Sequence, residues 1–115
     1  MSQMNTEAGE GQAETITSRD GTPIAYRRSG EGPPLVLVHG TAADHSRWRP
    51  VLPAFEEHFT VHAIDRRGRG DSGDVDGYTV EREFEDVAAV VDSIEESVNL
   101  LGHSYGGLLA LEATL

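Results

Sequence analysis

The sequence predicts an α/β fold, a mainly parallel sheet with flanking helices, entered through an amino-terminal hairpin. Three observations predict it. Apolar runs of strand length recur as LVLV (residues 35–38), TVHAI (60–64) and VNLL (98–101). Segments with helical periodicity separate them, and such alternation favours helices packed on a parallel sheet. The Gly-rich loops follow these runs, and open α/β sheets bind ligands beyond the carboxyl ends of their strands.

Each element has its own justification. Residues 1–13 are polar and Gly/Glu-rich and read as a disordered acidic tail, leaving 14–115 as one domain. ETITSR (14–19) alternates, Asp20-Gly21 is a turn pair, and PIAYRR (23–28) is the returning strand of a hairpin. The LVLV run is continuous, as expected for a parallel strand buried on both faces. In DHSRWRPVLPAFEEHF (44–59), Trp48, Leu52 and Phe55 recur at helical spacing, while Pro50 and Pro53 shorten any helix. Residues 60–64 form the next buried strand, and DRRGRGDSGDVDGY (65–78) is a loop. TVEREFEDVAAVVDSIEE (79–96) is the strongest helix. Thr79 caps it, and Phe84, Val87, Ala88, Val91 and Ile94 form an apolar stripe with acids opposite. A last short strand then leads into YGGLLALEATL, the start of a helix.

Composition narrows the function classes. Twenty Asp and Glu face nine basic residues, all arginine, giving a formal net charge of −11. Nucleic acid and anionic membranes are poor partners for such a surface. An acidic, lysine-free surface suits a salt-rich cytoplasm; the alternative is an ordinary acidic protein from a GC-rich genome that favours Arg codons. No apolar run is long enough to span a bilayer and no signal peptide is visible, so a cytoplasmic protein is expected. Cysteine is absent, which excludes disulfide and thiolate chemistry. The histidines and carboxylates show no metal-ligand spacing, and no cofactor is implied.

Gly102-His103-Ser104-Tyr105-Gly106 matches G-x-S-x-G between a strand and a helix start. Glycines at that corner would clear space for a serine on a sharp turn, with its hydroxyl aimed at a helix amino terminus. The motif alone leaves two readings open: a nucleophile elbow, or a Gly-rich turn with a serine cap. After LVLV comes His39-Gly40-Thr41, where a backbone N–H just past Gly40 could join that of Tyr105 in an oxyanion hole. His39 itself reads as a hydrogen-bonded brace for the loop. The arginines of DRRGRGDSG (65–73) could bind phosphate, but Asp65, Asp71, Asp74 and Asp76 offset their charge, which favours an internally paired structural loop.

LVLVHG, DRRGRGDSG and LLGHSYGG, in this order and spacing, resemble the amino-terminal half of an α/β-hydrolase-fold protein. The resemblance implies that Ser104 is the nucleophile and that the Thr41 and Tyr105 N–H groups form the oxyanion hole. It also places His39, Gly40, Gly102, His103 and Gly106 in supporting positions. A serine at the elbow is more similar to esterases, lactonases and carbon–carbon hydrolases than to relatives with Asp there. The implied substrate is a small molecule with an ester, lactone or related carbonyl. The family's order is nucleophile, acid, histidine. After Ser104 this sequence has one acid, Glu112, and no histidine; all five histidines (39, 45, 58, 62 and 103) precede it, and only His45 sits in a loop near the expected site. The expectation is therefore a hydrolase truncated before its catalytic acid and histidine, inactive as this chain. The competing readings are a non-catalytic ligand-binding module on the same fold and a phosphate-binding module.

Overall fold

The computed structural model describes residues 11–40, 43–73, 79–103, 106, 107 and 109. Five strands form one mixed sheet in the order β1-β2-β4-β3-β5. The hairpin of β1 (Gln12–Thr17) and β2 (Pro23–Ser29) is antiparallel, and β2 runs antiparallel to β4 (Thr60–Ile64). β3 (Pro34–Val38) lies parallel to both β4 and β5 (Asn99–Gly102). The alternating pattern starts the first strand at Glu14; it begins at Gln12, because Gln12 and Ala13 still pair with Arg28 and Arg27.

β3 explains why its sequence is apolar without alternation. Val36 and Val38 join Ile24, Tyr26, Ile64, Val87, Val90 and Leu109 on one face. Leu35 and Leu37 join Trp48, Leu52, Val61 and Ala63 on the other. A strand covered on both faces gains from apolar residues at both parities. Fully burying each such side chain contributes about 1.5–3 kcal/mol.

The expected first helix is broken in two. Asp44 caps a 3₁₀ turn (His45–Trp48), its carboxylate accepting from the Ser46 N–H at 2.8 Å. α1 (Leu52–Glu56) follows, with a proline in its first turn. Trp48 is 8% exposed and packs in the core, the role favoured by its spacing with Leu52 and Phe55.

α2 (Val80–Ser93) begins where expected: the Thr79 hydroxyl accepts from the Arg82 N–H at 3.2 Å. It stops at Ser93 because Ile94 is extended. The expectation that its acids lie opposite the apolar stripe fails. Glu83 and Asp86 are buried beside Val87 and Val90, and each meets an arginine from the loop after β4. Among the described residues, no helix is long and apolar enough to cross a membrane.

Candidate active site

The loops after β3 and β5 leave the sheet side by side. Val38 and Gly102 are register partners, and the His103 N–H donates to the Val38 carbonyl at 3.0 Å. Gly106 and Gly107 have helical backbone, and the Gly106 N–H is bonded to the His103 carbonyl at 2.9 Å. Glycine is required at two points of this corner. A Cβ on Gly106 would fall on the carbonyl oxygens of Val38 and His39, and one on Gly102 would fall on the Gly106 carbonyl. These are backbone atoms that cannot swing aside. Ser104, Tyr105 and Thr41, the expected nucleophile and oxyanion-hole residues, lie outside the described residues.

His39 is wholly buried and braces two loops, as its sequence position leads one to expect. Its Nδ1–H donates to the Gly40 carbonyl at 2.8 Å, and its Nε2 accepts from the Arg66 N–H at 3.0 Å. A carbonyl only accepts and an amide N–H only donates, so the imidazole is neutral with its proton on Nδ1. Burial pushes its pKa down, in agreement with that form. His103 is exposed and meets Trp48 edge-on, ring centroids 6.5 Å apart. The Trp48 indole N–H is buried with no hydrogen-bond partner among the described residues.

Asp65, at the end of β4, is the hub of this end of the sheet. It is wholly buried. Its Oδ1 accepts from the His45 N–H at 2.7 Å and from His45 Nδ1 at 2.8 Å, while Oδ2 accepts from the Asp71 N–H at 2.9 Å. The hydrogen bond to Asp65 raises the His45 pKa, against an opposing contribution from burial. The sequence marks His45 only as the histidine nearest the site. Its pairing with Asp65 is not visible there, because the two are separated by a helix and a strand. Asp44, His45 and Asp65 each bring one donor atom within 4.8 Å of the others, a grouping their sequence positions do not reveal. Asp44 Oδ1 and Asp65 Oδ1 are already engaged, the first by Ser46 and the second by His45.

The Arg-rich loop is held by ion pairs, but not internally as expected: Arg66 and Arg67 pair with carboxylates of other elements. Arg67 has no exposed side-chain surface and donates two hydrogen bonds to Asp86, from Nε to Oδ2 and from Nη2 to Oδ1, both at 2.7 Å. It also reaches Asp20 at 3.0 Å, and Ser18 donates to Asp86 at 2.5 Å. Arg66 binds Glu83 at 2.8 Å. Asp65 receives His45 and a backbone N–H, Asp71 pairs with Arg27 at 3.1 Å, and Asp74 and Asp76 lie outside the described residues. Carboxylates of the β1–β2 turn and α2 pair with Arg66 and Arg67 of the loop, which ties three elements together.

The described geometry agrees with the comparisons. The model of a family described as "Alpha/beta hydrolase family" matches residues 35–115. The chain is similar to an alpha/beta hydrolase of known structure from Sphaerobacter thermophilus, at 49% identity and TM-score 0.81, covering 87% of this chain and 39% of that one. It is 37% identical over 95 residues to a pimeloyl-[acyl-carrier protein] methyl ester esterase of Aeromonas hydrophila, over 80% of this chain. A soluble epoxide hydrolase of Corynebacterium sp. is 39% identical over 93 residues, 79% of this chain. The chain spans 36% and 32% of these two relatives' lengths. With the β1-β2-β4-β3-β5 sheet and the glycine-only corner after β5, the match over residues 35–115 shows that the chain belongs to the alpha/beta hydrolase family.

Proposed function

We propose that the protein is a serine hydrolase acting on an ester, lactone or related carbonyl of a small molecule. Ser104 Oγ attacks the carbonyl carbon, and the backbone N–H groups of Thr41 and Tyr105 hold the resulting oxyanion. The leaving group departs with a proton, and water then releases the acyl group from Ser104. The observation that carries this reading is the corner at Gly102 and Gly106, packed without room for a Cβ against the end of β3. A plain strand-to-helix turn does not need that approach; a serine presented at the head of a helix does. The esterase among the relatives supports the same chemistry. His39, Gly40, Gly102, His103 and Gly106 shape the site and do not react.

Residues 1–115 supply the nucleophile and oxyanion hole in this reading, and the triad's acid and histidine come from elsewhere. No histidine follows Ser104 in this sequence. A serine without a base is a weak nucleophile near neutral pH. The 115-residue chain is therefore expected to hydrolyse p-nitrophenyl acetate at close to the background rate. Supplying the remaining family-length sequence should restore turnover and fluorophosphonate labelling, both abolished by Ser104→Ala. Robust turnover by the 115-residue chain itself, lost on Ser104→Ala, would overturn the division of the triad. Labelling absent from the restored protein would overturn the hydrolase reading.

A further inference from the structure

Most of this chain's arginines are tied down. Arg27, Arg28, Arg66, Arg67 and Arg82 all pair with carboxylates. Arg19, Arg47 and Arg69 are exposed, and none of these side chains has an ion-pair or hydrogen-bond partner among the described residues; of the three, Arg47 and Arg69 lie together. Both line one open cleft of about 570 Å³ at the carboxyl ends of β3 and β4. That volume suits a small ligand. On a chain of net charge −11, carboxylates are available to neutralise an arginine almost anywhere. Two arginines on the same cleft with no carboxylate partner among the described residues stand against that trend, whereas Arg19 is the one arginine lining its groove.

The cleft is also built. Arg47 rides on the 3₁₀ turn that opens with His45, and Arg69 on the loop that closes with Asp71. Asp65, wholly buried, holds both arms, accepting from the His45 N–H at one oxygen and from the Asp71 N–H at the other. The Arg69 turn is fixed by its own N–H bond to the Arg66 carbonyl at 2.9 Å. The cleft's carboxylate among the described lining residues, Asp44, has its Oδ1 turned onto Ser46.

We propose that this cleft is a recognition subsite for an anionic group on the substrate, a carboxylate or a phosphate, gripped by Arg47 and Arg69. The proposal rests on the hydrolase reading above, and narrows its substrate class to esters carrying a negative charge away from the scissile bond. Guanidinium groups present paired donors that match either anion. Asp65 is the positioning residue that holds the two arms at their spacing.

The test is equilibrium binding to the 115-residue chain, followed by NMR titration, so that it does not depend on turnover. The probes are monomethyl glutarate, methyl 3-phosphonopropionate and the uncharged methyl valerate. At least one anionic ester is expected to bind tenfold or more tightly than methyl valerate, and the two anionic probes tell carboxylate from phosphate preference. Arg47→Gln and Arg69→Gln are each expected to weaken anionic binding about tenfold and leave methyl valerate unchanged. Arg19→Gln removes the same charge from an exposed arginine that lines a different groove, against α2, and is expected to change nothing. Equal binding of charged and uncharged esters would overturn the subsite, as would equal losses in all three arginine variants. Failure of the hydrolase reading is seen separately, as an unreactive Ser104 in the restored protein whatever these probes do.

Discussion

His45 and His39 sit a few residues apart in sequence and respond to pH in opposite directions. His45 gains a carboxylate partner on folding, so its pKa rises above the ordinary histidine value. The folded state then holds more protons than the unfolded one. Its stabilisation is complete below about pH 6.5 and is lost as pH rises through the raised pKa. His39 is buried neutral and its pKa is lowered. Its stabilisation is present above about pH 6.5 and is lost as pH falls toward the lowered pKa. Proton NMR titration should place the His45 ring above 6.5, and Asp65→Asn should bring it down; a His45 pKa unmoved by Asp65→Asn would contradict the pairing. Melting temperature in His45→Gln should no longer fall on the alkaline side, while the acid side keeps its slope. The corner glycines offer a paired prediction. Gly106→Ala drives a methyl into the end of β3 and should leave little folded protein. On Gly107 the nearest atom to an added Cβ is 3.4 Å away, so Gly107→Ala should stay within about 0.5 kcal/mol of the parent.

At the scale of elements, the Arg67 network joins the β1–β2 turn, the loop after β4 and α2. Replacing Arg67 by Met leaves the Asp86 carboxylate buried without its cation, and urea denaturation should register a loss of about 3–5 kcal/mol. Pairing that change with Asp86→Leu should recover much of the loss, since an apolar pair of similar size often replaces a buried ion pair without penalty. Thr79→Ala, which removes only a cap at the other end of the same helix, should cost about 1 kcal/mol. The network also marks the limit of what is legible in the sequence. β3, β4 and α2 are legible because their signal is local: an unbroken apolar run, or a stripe at helical spacing behind a threonine. Glu83 and Asp86 look like solvent-face residues because an acid in a helix looks solvated unless its partner is known, and Arg66 and Arg67 belong to another element. The 3₁₀ turn before α1 looks like helix because Trp48, Leu52 and Phe55 fit either geometry, and the prolines determine where it breaks. The family and the glycine corner are readable from three short motifs. The His45–Asp65 pair and the Arg47–Arg69 cleft are not, since both arise only when the loops after β3 and β4 converge.

For the whole molecule, net charge is the quantity on which salt acts. With a formal charge of −11, the folded chain repels itself, and screening relieves exposed charges far more than the buried Arg67 cluster. The melting temperature should rise by several degrees between low and molar salt; an unchanged value would leave the acidic surface without a stabilising role for salt. The other molecule-wide consequence comes from β5. Among the described residues it pairs with β3 alone and exposes Leu101 at 39%. A strand with an open edge and an apolar side chain on it invites association. Sedimentation of the 115-residue chain should therefore show concentration-dependent self-association that Leu101→Arg reduces.

The strand order carries one more consequence, for synthesis. The hairpin leaves the ribosome well before β4, yet β2 docks on β4, and Tyr26 must wait for Ile64 to find its register. At translation rates of about 5–20 residues per second the wait is roughly 2–7 seconds. For that interval Ile24 and Tyr26, which end up buried, belong to a two-stranded ribbon with nothing beneath it, and such ribbons are marginal in water. The nascent chain thus holds this hairpin in reserve until β4 emerges to receive it.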